Sequence, residues 1–238
     1  MTTTPINPAS TRQTPPKPRR ILIVDDHPIL REGLARLLSG EPDLSVVGEA
    51  DDAGTAAQLA EELQPDLAIV DIGLRGRNGI ELVKDLQVRL PALPVLVLSM
   101  FDESLYGERA RRAGARGYLM KLEAREKIVA AARAVLGGGT WFGARVPDAS
   151  VPATAPADAG DSPLARLSDR ELEVLQLIGQ GLGTRQIAQR LTLSIKTIES
   201  HREHLKAKLN LQSGTELVRY AVEHAVRTEG ARPEPAGE

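Results

Sequence analysis

Apolar and polar positions follow two different rhythms along this chain. In the first half, short apolar runs recur: Ile21-Leu22-Ile23-Val24, Leu67-Ala68-Ile69-Val70, Val95-Leu96-Val97-Leu98 and Gly117-Tyr118-Leu119-Met120. Runs rich in Val, Ile and Leu, separated by stretches of helical spacing, predict parallel strands buried on both faces. Leu44-Ser45-Val46-Val47-Gly48-Glu49-Ala50 predicts one more strand, followed by a helix that ends near Gln64-Pro65. Pro28 stands where the first helix should start, a position that tolerates proline, and Leu30, Leu34, Leu37 and Leu38 supply that helix's apolar stripe. Five strands alternating with five helices predict an α/β domain built on a doubly wound parallel sheet.

From about residue 164 onward the rhythm is helical only. Ser168 and Glu171 have capping-box spacing ahead of Leu172, Val174, Leu175 and Ile178. Gly181 to Gly183 breaks that helix, and Thr184 is placed to cap the next, which carries Ile187, Ala188 and Leu191. Ser194 is placed to cap a third helix reaching about Leu209, with Ile195, Ile198, Leu205 and Leu209 facing the core. A fourth runs from about Thr215 to His224. Two short helices around a tight turn predict a helix-turn-helix.

Proline placement divides the chain. Pro5, Pro8, Pro15, Pro16 and Pro18 lie in the head, Pro147, Pro152, Pro156 and Pro163 in the middle, Pro233 and Pro235 in the tail. The middle stretch is Ala, Pro, Asp and Ser with little to bury, which reads as an extended linker. The expected organisation is a disordered head over 1–18, an α/β domain over 19–142, a flexible linker over 143–163, a small all-α domain over 164–227 and a disordered tail over 228–238. The 30 basic and 32 acidic residues leave a net charge of -2, which selects no partner class. With no cysteine, a disulfide framework and a thiolate metal site are excluded. No apolar stretch approaches the ~18 residues of a membrane span. No apolar segment at the N-terminus resembles a signal peptide, so a cytoplasmic protein without membrane contact is the expectation.

Candidate chemistry sits at the strand ends. Asp25, Asp26, Asp71, Ser99 and Lys121 each stand at or just past an apolar run, and in an open α/β sheet those carboxyl ends form one ligand-binding edge. Three crowded carboxylates call for a cation, and hard oxygen donors suit Mg²⁺. This set resembles the receiver domain of bacterial two-component response regulators. The resemblance implies a flavodoxin-like strand order. It implies Asp71 as the residue phosphorylated by a sensor histidine kinase and Asp26 as a direct Mg²⁺ ligand. Asp25 then acts directly or through water, and the Gly73 carbonyl is a backbone ligand. Ser99 and Lys121 would contact the phosphoryl group. Tyr118 is either plain core or the aromatic that reorients on phosphorylation. His27 reads as a helix-start residue rather than a ligand.

The sequence also departs from that family. Arg75 stands where the family usually has proline, so the loop after Asp71 should be less rigid. Arg75 and Arg77 either tune donor choice or are solvated loop charge. Gly73 and Phe101 occupy the positions that flank the phosphoryl group, and neither offers a polar side chain to orient water. A comparatively long-lived aspartyl phosphate is expected, with a half-life that Gly73→Asn or Phe101→His would shorten.

In the second domain Leu-Ser-Asp-Arg-Glu-Leu-Glu-Val-Leu, Gln-Ile-Ala-Gln-Arg-Leu and Ile-Lys-Thr-Ile-Glu-Ser-His-Arg resemble the LuxR/NarL-type helix-turn-helix. Recognition helices use their N-terminal half to touch base edges. By position, Glu199, Ser200 and Glu203 are candidates for base readout in double-stranded DNA. Lys196, Thr197, Arg202, Lys206, Lys208 and Arg185 are candidates for phosphate contacts. His201 either packs at the core edge or meets a phosphate. On the third helix Lys196, Arg202, Lys206 and Lys208 against Glu199 and Glu203 make a weak electrostatic footprint, so specific binding should need a homodimer formed on phosphorylation. Arg12, Lys17, Arg19 and Arg20 make the head basic, as a solubilising tail or a DNA arm. RNA polymerase is a further partner open to such a regulator. Two rivals are weaker. A phosphohydrolase with an Asp-x-Asp nucleophile is not matched by Asp25-Asp26. An unphosphorylated interaction module would be marked by a missing acid, hydroxyl or lysine.

Overall fold

A computed structural model describes residues 17–143 and 163–229, with side chains considered up to His224. The predicted head, linker and tail lie largely outside those residues. The first unit alternates β1 (Arg19–Val24), α1 (Pro28–Ser39), β2 (Leu44–Ala50), α2 (Ala53–Leu63), β3 (Leu67–Asp71), α3 (Gly79–Arg89), β4 (Val95–Ser99), α4 (Glu103–Arg112), β5 (Gly117–Met120) and α5 (Ala124–Leu136). All five strands are parallel in the order β2-β1-β3-β4-β5. The alternating pattern predicted the parallel sheet, and the resemblance implied its flavodoxin-like order. Its order reverses between β1 and β3, and Asp25, Asp26 and Asp71 stand at that switch point.

Strand residues point alternately to two faces, so one strand feeds two cores. Ile21, Ile23, Ile69, Leu96 and Leu98 pack under α1 and α5 with Leu34, Leu38, Ile128 and Val135. Leu22, Val24, Val70, Val95 and Val97 pack under α2, α3 and α4 with Ala56, Leu82, Leu86 and Tyr106. Leu37, expected in the stripe of α1, is 39% exposed, because Leu34 and Leu38 already fill the buried side.

The second unit is α6 (Asp169–Gly179), α7 (Thr184–Leu191), α8 (Ile195–Leu209) and α9 (Gly214–Glu229). The Ser168–Glu171 capping box forms as predicted, and the Ser194 hydroxyl accepts from the Thr197 N–H at 3.0 Å. Thr184 is not the cap of α7. Gly183 takes that position, and the Gln186 side chain accepts from its N–H at 2.8 Å. Ile195, expected to face the core, is 43% exposed and outside it, whereas Ile198, Leu205 and Leu209 are buried. Helix α9 continues past His224. Among the described residues no helix is long and apolar enough to cross a membrane.

The apolar core under α2, α3 and α4 continues without interruption into the second unit. Leu74, Phe101 and Tyr106 share one cluster with Leu172, Leu175, Leu191 and Leu205. The two units are therefore packed together across the carboxyl edge of the sheet.

Candidate phosphoacceptor site and DNA-reading helix

Each acceptor-site residue is held by a strand end and then by local bonds. Asp25, Asp71, Ser99 and Lys121 are buried, and Asp26 is 9% exposed. The Lys121 ammonium lies 2.6 Å from Asp71 Oδ2 and 2.9 Å from Asp25 Oδ2. Asp71 Oδ1 accepts the Gly73 N–H at 3.1 Å. Burial pushes the Asp71 carboxyl up, Lys121 opposes that and the Asp25 charge adds to it. Ser99 Oγ accepts the Phe101 N–H at 3.0 Å, and the Tyr118 hydroxyl donates to the Phe101 carbonyl at 2.8 Å. Tyr118 is therefore turned inward and fully packed. The backbone is tight here as well. A Cβ on Gly79 would collide with the Asp71 carbonyl oxygen, so only glycine lets α3 start this close to β3.

Carboxylate oxygens of Asp25, Asp26 and Asp71 and a His27 nitrogen lie within 4.8 Å of one another. Asp25 Oδ2 and Asp26 Oδ1 are buried without a hydrogen bond of good geometry. Such oxygen-rich, under-bonded groups fit a hard divalent cation, as expected for Mg²⁺. His27 does begin α1, yet its side chain makes no cap bond. Its Nδ1 instead sits 2.8 Å from Asp26 Oδ1 and 3.1 Å from Asp25 Oδ1. Sequence reasoning placed His27 outside the cluster because a lone His after two acids carries no signal for its rotamer.

The two loop arginines part company. Arg75 Nε reaches to 3.5 Å from Asp26 Oδ2, whereas Arg77 turns away to Glu81 and Asp85 at 3.2 and 2.6 Å. The loop itself is tied to the second unit. The Gly76 N–H donates to the Leu191 carbonyl at 3.1 Å, and Arg170 donates to the Gly76 carbonyl at 2.6 Å.

The residue that sequence reasoning missed is Glu173. It lies on α6 and is 1% exposed, and in the sequence it stands only as one unassigned position of the Leu-Ser-Asp-Arg-Glu-Leu-Glu-Val-Leu stretch. Its Oε2 accepts from Asn78 Nδ2 at 3.0 Å and from Arg170 at 2.8 Å. Burial pushes its carboxyl up to about 7, against Arg170 and the Asn78 bond, with the Asp71 charge adding. Only the fold brings residues 78 and 173 together.

On α8, Lys196, Glu199, Ser200, Glu203 and Lys208 are exposed, and Thr197, Arg202 and Lys206 half-buried; Arg185 on α7 is exposed. Lys206 pairs with Glu203 at 2.9 Å. Lys208 is exposed as well, with its ammonium 2.6 Å from Glu171 on α6. His201 is half-buried with its Nδ1 enclosed, and burial lowers its pKa.

Comparisons with known proteins agree with this geometry. Residues 21–133 match the response regulator receiver domain, and residues 165–221 match the luxR family of bacterial regulatory proteins. The chain is 35% identical over 210 residues to the oxygen regulatory protein NreC of Staphylococcus epidermidis, covering 85% of this chain and 96% of that protein. The RcsB response regulator of Salmonella typhimurium superposes with a TM-score of 0.60 at 25% identity, over 87% of this chain and 98% of that one. A structure of two RcsB dimers bound to two parallel DNAs gives a TM-score of 0.51 at 26% identity, over 88% and 100% of the two chains. The chain thus belongs to the NarL/FixJ-type response regulators, in which a receiver domain is joined to a LuxR-type helix-turn-helix DNA-binding domain.

Proposed function

We propose that this chain controls transcription by accepting a phosphoryl group on Asp71 from a sensor histidine kinase, with Mg²⁺ bound, and by then binding DNA as a homodimer. The observation that carries the reading is the buried Asp25–Asp71–Lys121 constellation at the switch point, with Asp26 beside it. Asp71 Oδ attacks the phosphorus, the bond from phosphorus to the kinase histidine nitrogen breaks, and the nitrogen regains a proton from solvent. Asp25, Asp26, Asp71 and the Gly73 carbonyl would hold the Mg²⁺, which neutralises charge on the transferring group. Lys121 is already within bonding distance of Asp71 and would follow a phosphoryl oxygen. Ser99 would exchange its bond to the Phe101 N–H for one to the phosphoryl group, and Tyr118 would move with it.

In the second domain, exposed Lys196, Glu199, Ser200 and Glu203 on α8, with exposed Arg185 on α7, support a DNA-reading face, and the RcsB–DNA structure supports a dimer. The units assigned to these tasks are 19–142 and 164–227. A cytoplasmic regulator that is not a turnover enzyme fits this reading, and RNA polymerase is a natural further partner. The test is intact mass after incubation with Mg²⁺ and acetyl phosphate. One phosphoryl adduct on the wild type and none on Asp71→Asn is expected. An adduct on both would move the acceptor elsewhere.

A further inference from the structure

The loop after Asp71 carries two arginines that the acceptor chemistry does not use, and the backbone sends them in opposite directions. The Arg77 N–H donates to the Arg75 carbonyl at 2.8 Å across Gly76, whose φ of 72° lies in the left-handed region that favours glycine. Arg77 is spent on Glu81 and Asp85 of α3, while Arg75 turns back over the strand ends. Its Nε stands 3.5 Å from Asp26 Oδ2, with the Arg75 side chain 57% exposed and that of Asp26 9%. A fixed cation therefore sits at the mouth of the pocket, between solvent and the least buried of its three acids. We propose that Arg75 is a resident counter-ion of the acceptor site, which competes with Mg²⁺ for Asp26 and, once released, pairs with the anionic phosphoryl group. This inference rests on the assignment of Asp71 as acceptor.

Charge carries the argument. Inside the pocket Asp25, Asp26 and Asp71 face one fixed cation, Lys121, with His27 alongside and the nearby Glu173 offset by Arg170. Setting His27 aside, Arg75 lowers the negative excess of this set from two charges to one, so a divalent cation is drawn in less strongly. With Mg²⁺ in place the balance reverses. The set then carries one positive charge in excess, where without Arg75 it would be neutral, and an anionic phosphodonor meets an attractive mouth. Arginine suits both tasks. It stays charged across the whole working range of pH, its fork of N–H donors matches phosphoryl oxygens, and its long stem can leave Asp26 without moving the backbone. The loop backbone is held meanwhile, since the Gly76 N–H donates to the Leu191 carbonyl and Arg170 to the Gly76 carbonyl. Proline, usual at this position in the family, brings no charge. Arg77, two residues on, supplies the control, because its charge is already committed to α3.

The experiment uses the full chain and two readouts: the Mg²⁺ dissociation constant by isothermal titration calorimetry, and adduct formation with acetyl phosphate at saturating Mg²⁺ by intact mass. Arg75→Gln should bind Mg²⁺ about threefold tighter than wild type, the size set by a half-exposed ion pair, and Arg75→Glu about tenfold tighter. Arg75→Lys should stay near wild type, and Arg77→Gln should match wild type in both readouts. At saturating Mg²⁺, Arg75→Gln should nevertheless label about threefold slower. The two shifts run in opposite directions, which a merely distorted loop would not produce. Weaker metal binding together with slower labelling in Arg75→Gln and Arg75→Glu overturns the counter-ion. Equal dissociation constants in wild type and both variants overturn it as well, and leave the acceptor assignment standing. Tighter metal binding with unchanged labelling overturns the phosphoryl contact. No Mg²⁺ binding and no adduct on any chain, with a control receiver labelling normally, overturns acceptor and counter-ion together.

Discussion

Lys121 holds together two buried carboxylates that would otherwise repel each other. Its ammonium is 3% exposed and touches Asp71 and Asp25 at once. Removing one partner of a buried charge cluster leaves the rest uncompensated, which costs about 3–5 kcal/mol. Lys121→Met should therefore lower stability strongly in the absence of divalent cation, and should raise the Asp71 pKa further, since the ammonium is what opposes burial. Carbon-13 NMR of the Asp side chains across pH checks the sign, and a lowered value would show that another group compensates Asp71. The acceptor set was legible because each residue follows an apolar run, and a run that fixes a strand also fixes its end. The rotamer of His27 and the reach of Arg75 to Asp26 were not, because neither depends on periodicity.

At the scale of elements, what matters is how helices begin. Asp52 caps α2 by accepting from the Gly54 and Thr55 N–H groups at 2.7 and 3.0 Å. The Thr55 hydroxyl and N–H bonds hold its carboxyl below the ordinary value. A depressed folded pKa means that the cap's contribution is present above the unfolded value and is lost as pH falls through the folded one. Asp52→Ala should cost about 1 kcal/mol at neutral pH. The difference from wild type should shrink toward zero in acid, as urea melts at several pH values would show. Gly79 is the stricter case. Gly79→Ala pushes the start of α3 away from the end of β3, and overpacking of this kind costs about 1–3 kcal/mol. Because the displaced atoms adjoin Asp71, the same change should slow phosphoryl uptake, read as adduct per unit time. Helix starts were partly legible. Ser168 and Ser194 announce themselves by side chain, whereas Gly183 caps through Gln186, so Thr184 was the more visible candidate.

For the whole molecule the informative contact is the one between domains, and no sequence pattern carries it. Glu173 has the spacing of any polar position on α6, and its contacts form only when α6 lies over Gly73 and Asn78. The same docking leaves Lys196, Glu199, Ser200 and Glu203 open to solvent, so phosphorylation need not uncover them. The reading face is electrostatically thin, with Lys206 paired to Glu203 and Lys208 to Glu171. One copy should hold DNA weakly, and a useful affinity then requires two copies joined. On a selected DNA with a single half-site, phosphorylated and unphosphorylated chains should bind within about twofold of each other. On two half-sites roughly 34 Å apart, phosphorylation should tighten binding about a hundredfold through the effective concentration of the second domain. Fluorescence anisotropy on the two DNAs separates the cases. A large gain on the single half-site would mean that docking hides the reading face after all. Within that assay Lys196→Ala should lower the salt slope by about 1 per subunit, as the loss of one phosphate contact does. Lys208→Ala should leave the slope unchanged, because its ammonium is committed to Glu171.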